Sequence, residues 1–335
     1  MSYFVPSAIP GQTGDLSHDI IDYPEGIVLP VNKPYRWTSA DVIRKLKFAA
    51  FRHFWKKNLK VGHAGTLDPL ATGVLLVCLG PACKQAQTLQ DHDKEYIARI
   101  RFGATTPSYD LEKDVDRRFP YEHITADAVR EALQGFLGPQ EQVAPLFSAK
   151  SVDGVRAYEM ARKLYRSGRM SELDEAALET LHRSRIVVSG LELLEFKAPA
   201  GKAFSSAKNL ADATENALPA AEKSTDNATE VDLPEGDAFH GASAIYFAEG
   251  KASPAGESNA SYRINVADTS ALGLPEAVIR IACSKGTYIR AFARDLGEAL
   301  GSGAHLAGLV RSRSGDFRIE DALSLEQALD LLKEG

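Results

Sequence analysis

The segment Val61-Gly-His-Ala-Gly-Thr-Leu-Asp-Pro-Leu-Ala-Thr-Gly73 sets one carboxylate, Asp68, among glycines and a proline. It runs directly into the apolar stretch Val74–Leu79. Pro69 restricts the backbone of Asp68 to extended angles. Gly62, Gly65 and Gly73 permit turns or the close approach of a ligand. A carboxylate held this way suits a nucleophile, a general base or a metal ligand. The plainer alternative is an aspartate that caps a turn.

Other groups of the right chemistry lie nearby in sequence or far along the chain. His63, in the same segment, suits stacking on a base or a hydrogen bond to a phosphate. Tyr96 follows a charged turn and can present its ring at a pocket edge. Ser284-Lys-Gly-Thr-Tyr-Ile-Arg290 reads as a strand-to-helix junction, whose free backbone N–H groups suit an anion. Tyr288 and Arg290 can both reach one site from there. Each has a plainer reading: a polar loop histidine, a core aromatic, a structural Asp–Arg pair. The chain has no Gly-x-x-x-x-Gly-Lys-Ser/Thr loop, no dinucleotide fingerprint and no His/Cys cluster. No organic cofactor and no metal are therefore expected.

These residues need elements to hold them. Ile27–Val31 reads as a short strand. Ser39 and Asp41 open a helix from Val42 to about Phe54, where Val42, Ile43, Leu46 and Ala50 recur at helical spacing. Gly62 to Gly73 reads as loop, Val74–Leu79 as strand, and residues 81–90 as a short helix. Tyr96–Phe102 alternates as a strand ended by Gly103. Thr125 caps a helix through about Phe136. Val155–Tyr165 and, more weakly, Ser171–His182 read as helices. Arg185–Ser189, Leu191–Phe196 and Ala277–Cys283 read as strands. A helix from Tyr288 to about Leu300 ends at Gly301, and a final helix, Leu323–Leu332, is capped by Ser324.

The 335 residues suffice for one large or two ordinary domains. Residues 1–26 read as an N-terminal arm. Residues 27–196 and 264–335 form one discontinuous domain. Residues 197–263 are a long, mostly flexible insertion rich in Ala, Ser, Asn, Glu and Gly; Ala244–Phe247 is a candidate strand within it. Removing about Ala203–Ser258 and bridging the ends is expected to leave fold and activity largely intact. No apolar run approaches a membrane span. No basic region precedes a hydrophobic core at the N-terminus, so a cytoplasmic location is expected. Cys78, Cys83 and Cys283 show no disulfide framework.

The net charge of −6 taken alone argues against nucleic acid. The distribution argues otherwise. Between Lys33 and Arg99 basic residues outnumber acidic ones by roughly two to one, and Arg280–Arg318 is basic as well. Much of the acidity gathers between Asp212 and Asp237. A local basic face can hold phosphates despite a negative total.

Taken together, these motifs resemble the TruB family of tRNA pseudouridine synthases. Gly62–Gly73 resembles the family's catalytic loop, and Cys283-Ser-Lys-Gly-Thr-Tyr-Ile-Arg290 its second signature. Lys94-Glu-Tyr96 resembles the segment with the active-site tyrosine, and Gly301-Ser-Gly-Ala-His-Leu306 the region after the second signature. The likeness covers residues 26–196 and 275–325. Some positions depart from the family pattern. Asn32 stands where an aspartate is usual, and Val310 where an arginine is common, a change that would weaken an RNA contact. The lysine of the Phe147–Ser151 element is displaced, leaving Lys150 without a role. The C-terminal PUA domain of many relatives is expected to be missing.

The resemblance implies an α+β fold: a mixed, largely antiparallel sheet with flanking helices and a central cleft. It implies isomerisation of uridine 55 in the T-loop of tRNA, on a flipped-out nucleotide. Asp68 is then the catalytic carboxylate, with Arg290 holding it ionised and Tyr96 stacked on the uracil. Tyr288 and Leu309 line the pocket, and His63 fills the space left by the base. The implied partner is the T-arm of tRNA, with no DNA, no membrane and a monomeric state. The competing readings are an RNA-folding factor with little catalysis and an aspartate-dependent hydrolase.

Overall fold

Alternating apolar residues Ile27, Leu29 and Val31 build the first strand, β1 (Ile27–Lys33), whose side chains are almost wholly buried. The computed structural model of the chain describes residues 3–6, 16–145, 151–152, 155–156, 183–200, 246–247, 264 and 266–333. In chain order the further strands are β2 (Val61–Ala64), β3 (Ala71–Leu79), β4 (Lys94–Phe102), β5 (Ala104–Thr105), β6 (Arg117–Arg118) and β7 (Gly138–Val143). They continue with β8 (Ser151–Val152), β9 (Val155–Arg156), β10 (Arg183–Lys197), β11 (Glu276–Cys283), β12 (Ala304–Ser314) and β13 (Phe317–Arg318). The helices are α1 (Ser39–His53), α2 (Ala86–Asp91), α3 (Ala126–Gln134), α4 (Ile289–Ala299) and α5 (Leu325–Asp330).

The main sheet runs β1-β3-β12-β4-β11-β10-β7, with β2 paired to β3 and β13 to β12. All its pairings are antiparallel except β3 with β12. This is the expected α+β class.

Local signals start the helices. Thr38 and Asp41 form a reciprocal capping box at α1, and Ser324 and Gln327 form another at α5. Helix α1 lays Val42, Leu46 and Ala50 on β1 and β3, where α5 joins it. Helices α3 and α4 lay Val129, Leu133, Phe292 and Leu296 on β4 and β11. Each such side chain contributes about 1.5–3 kcal/mol by leaving water. Tyr96 and Leu309 pack against both clusters. They therefore floor the seam between the two helical halves.

The structure corrects several readings. Gly62–Gly73 is not all loop: Val61–Ala64 forms β2, whose backbone pairs Val61 to Leu79 and Ala64 to Leu76. The glycines mask a hairpin arm that β3 completes. The two strands predicted around Gly190 are one, β10, which passes that glycine through register shifts at Val188/Gly190 and Leu193/Glu195. Val155 and Arg156 are extended in β9 rather than helical; the rest of that predicted helix and Ser171–His182 lie outside the described residues. Tyr246 is helical and Phe247 irregular, not strand. Strands β7 and β12 escaped the pattern altogether. In β12 a bulge, Gly308 and the buried Arg311 and His305 erase the alternation.

The ends of the domain are also tied down. In the arm, Leu16 and Ile20 are buried and Phe4 bridges to Ile27. The insertion contributes Phe247, whose ring lies 4.3 Å from the Arg99 guanidinium carbon. The same ring packs on Ile97, Val278 and Val310. Gly308 makes room for it, since a Cβ there would sit 2.6 Å from Phe247 Cε1. Phe247→Ala is expected to lower the unfolding free energy by about 1–2 kcal/mol in urea denaturation. Deleting residues 203–258 should carry at least that loss, against the expectation from composition. An unchanged midpoint would show that the contact contributes nothing.

Candidate active site

The loop carrying Asp68 is short, spanning residues 65–70 between β2 and β3. Side chains from three directions hold its backbone. From the start of α1, Ser39 Oγ donates to Leu67 O (3.1 Å) and accepts from Leu67 N (2.9 Å). From the end of β1, Lys33 Nζ donates to Pro69 O at 3.2 Å, and Arg36 N reaches the same oxygen at 3.0 Å. From β12, Arg311 donates to Gly65 O at 3.0 Å. The loop closes on itself through Ala71 N to Asp68 O, 3.1 Å.

Asp68 keeps its side chain 40% exposed and accepts from Arg290 Nε at 2.9 Å. Arg290, on the first turn of α4, is 6% exposed at its side chain. Its guanidinium also donates to Ser108 O (3.2 Å) and lies 3.8 Å from Asp110 Oδ2. Burial opposes the guanidinium charge, but Asp68, Asp110 and Glu112 outweigh it and hold its pKa above the ordinary value. For Asp110 burial wins: its pKa is raised, although Arg290 and the Ser108 hydroxyl oppose the shift.

An open cleft lies here, lined by Tyr35, Asp68, Leu70, Ala71, Asp110, Leu111, Arg290 and residues 306–309. Of the predicted site residues, Asp68, Arg290 and Leu309 line it directly. Tyr96 lies beside them on β4, one strand from Leu309, and burial pushes its phenol pKa up. His63 sits on β2 opposite Val77, not in the loop. Burial, then Arg311, lowers its pKa. Tyr288 stands outside the cleft lining. Its backbone N–H and C=O are both held by Gln142, at 2.8 and 3.1 Å.

Comparison with known proteins now decides the family. The model described as TruB family pseudouridylate synthase (N terminal domain) matches residues 52–206. The tRNA pseudouridylate synthase B C-terminal domain matches residues 290–334. Proteins named tRNA pseudouridine synthase B from Phocaeicola vulgatus and Bacteroides thetaiotaomicron are 40% identical over 306 residues, covering 91% of this chain and 93% and 92% of theirs. This chain belongs to the TruB family.

The namesake from Deinococcus radiodurans is 34% identical over 299 residues, 89% of this chain and 77% of its own. A solved Cbf5-Nop10-Gar1 complex matches with a TM-score of 0.49 at 20% identity, over 98% of this chain and 58% of that chain. The chain spans just over half the length of that solved polypeptide.

Two departures from the TruB pattern find physical explanations. Asn32 Oδ1 accepts from Gly73 N at 3.1 Å, so the amide oxygen does what a carboxylate would do there. Val310 is 2% exposed and packs with Ile97 and Val278, apart from the cluster residues that floor the cleft. The Val310 side chain is inside the protein. The Phe147–Lys150 element lies outside the described residues.

Three contributors were missed from sequence: Asp110, Lys33 and Arg311. Asp110 sits in Ser108-Tyr-Asp110, which carries no spacing signal. Lys33 was read as one of the basic residues of a phosphate-binding face, and its burial removes it from that face. It is buried, and its Nζ donates to Pro34 O (2.9 Å), Trp37 O (2.6 Å) and Pro69 O (3.2 Å). Burial brings its pKa down to about 7, with Asp68 opposing the shift and Arg311 adding to it.

A lysine whose folded pKa is depressed binds fewer protons folded than unfolded between the two values. Stability then rises with pH from about 7 towards the unfolded value near 10.4, by at most about 1.4 kcal/mol per pH unit. The stability difference between the wild type and Lys33→Met, followed in urea from pH 6 to 9, should be level at the acid end and shift in favour of the wild type above pH 7. A difference that stays constant throughout contradicts the shift. Gly73→Ala tests the loop's exit: Gly73 has φ +100°, and a Cβ would lie 2.3 Å from Arg311 O. That variant should lose about 3 kcal/mol or more in the same assay; retention of wild-type stability would show that β12 can yield.

Proposed function

We propose that the chain is a tRNA pseudouridine synthase that converts uridine 55 of the T-loop. The single observation that carries this reading is the Asp68–Arg290 pair at 2.9 Å in an open cleft that Leu309 lines and beside which Tyr96 packs. The names of the relatives support the substrate class.

The reaction breaks N1–C1′, turns the uracil and forms C5–C1′; the C5 proton leaves and N1 gains one. It needs an ionised carboxylate near C1′ and C6. Asp68 supplies it, and the hydrogen bond from Arg290 fixes its direction. The target base is unreachable inside folded RNA, so the nucleotide is flipped into the cleft. Tyr96 stacks on the uracil and Leu309 walls its other side; such stacking offsets the few kcal/mol of unpairing. His63 fills the vacated space. Tyr288 acts one step back, starting the helix that carries Arg290. The exposed basic residues Arg44, Lys45, Lys47, Arg52, Lys56 and Lys60 hold the T-arm by its phosphates, while Lys33 and Lys94 are buried and take no part.

Incubation with unmodified tRNA, followed by chemical mapping of pseudouridine, tests this directly. The wild type should give product at position 55, and Asp68→Asn none. Equal product from both sinks the role of Asp68. Binding without product from the wild type favours an RNA-folding factor. Affinity for tRNA should fall steadily as salt rises; a flat response removes the basic face from the account.

A further inference from the structure

Arg311 is among the largest fully buried side chains, 1% exposed, yet it lines no part of the cleft. Its hydrogen-bond partners are backbone carbonyls rather than a carboxylate. Nε donates to Val74 O at 2.7 Å, Nη2 to Gly65 O at 3.0 Å and Nη1 to Thr66 O at 3.5 Å. A buried cation satisfied by neutral groups is a costly arrangement, and a hydrophobic residue would fill the same volume. The cost points to a use.

The partners show what that use is. Gly65 and Thr66 are the loop residues that lead into Asp68. Val74 lies on β3, just past the loop's exit. Tyr96 is the cross-strand partner of Arg311 itself, and Gly73 is its parallel neighbour on β3. One planar fork thus holds the entry of the Asp68 loop and the strand beyond its exit, from the position directly across from Tyr96. It does so from the strand that presents Leu309 two residues earlier. Gly73 makes this possible: its backbone passes so close to Arg311 that no Cβ fits.

We propose that Arg311 is a positioning residue that fixes the height of the Asp68 loop against Tyr96 and Leu309. It touches no substrate and acts through the groups it holds. The catalytic part of the claim rests on the function proposed above; the structural part does not.

Arg311→Lys keeps the charge but replaces the fork with a point donor that cannot span these carbonyls together. Two readouts are taken on the full chain. Amide hydrogen exchange should speed up in residues 62–70 and stay unchanged in α3 and α4. Single-turnover pseudouridine formation should fall about 100-fold while tRNA affinity stays within about threefold, the signature of misplaced groups rather than lost binding. Unchanged exchange in 62–70, or acceleration spread over the whole chain, overturns the clamp. So does a wild-type rate in the variant, which would mean that the charge alone suffices. An inactive wild type would sink the function instead, and the exchange result would still decide the clamp. The wild type offers a second check should the variant not fold. By nitrogen-resolved NMR, the Arg311 Nε–H should exchange far more slowly than that of exposed Arg44; equal rates overturn the proposal.

Discussion

The contact between Arg290 and Asp68 makes demands on every element around it. Arg290 is buried, and burying a guanidinium is tolerable only where its charge and donors are met. Asp68 meets it at 2.9 Å, Ser108 O at 3.2 Å, and Asp110 lies at 3.8 Å. Those partners come from the β2–β3 loop and from the segment that bridges to β12 at Leu306. Helix α4 must therefore sit in one register against both. Gly297 allows this, since a Cβ there would lie 2.6 Å from Ala304 N. The result is a carboxylate that stays open to the cleft while its counter-ion is shut away from water.

Strand β12 organises the rest. It lies between β3 and β4, parallel to one and antiparallel to the other. Because side chains alternate, Leu309 and Arg311 share the cleft side while Val310 packs into the cluster with Ile97 and Val278. One strand thus supplies an apolar wall and a loop clamp, and seals the opposite face. The Arg99–Phe247 contact shows that the insertion adds a small part of that seal.

Much of this was legible before any coordinates. The Gly62–Gly73 and Cys283–Arg290 motifs singled out Asp68 and Arg290 as candidates, and the family resemblance those motifs carry implied that the two pair. The helices were legible from their caps, Thr125 and Ser324 above all. Strand β12 was not, because a central strand with a bulge and buried polar side chains has no alternation to read. Strand β2 was hidden by the glycines that let it close a hairpin. Asp110 and Arg311 were hidden for another reason: their importance lies in contacts to residues more than a hundred positions away, which local pattern does not encode. Phe247 was passed over because its neighbours in sequence look unstructured. The expected roles of His63 and Tyr288 met geometry that shifts them, one onto a strand and the other behind the cleft wall.

The central claim is that Arg290 serves the chemistry by holding Asp68, not by holding RNA. The most direct measurement is the single-turnover rate of pseudouridine formation for Arg290→Gln, taken beside its affinity for the same tRNA. The account predicts a rate lowered about 100-fold or more with affinity changed less than about threefold. A variant that keeps the wild-type rate, or that loses rate only as it loses binding, would contradict it.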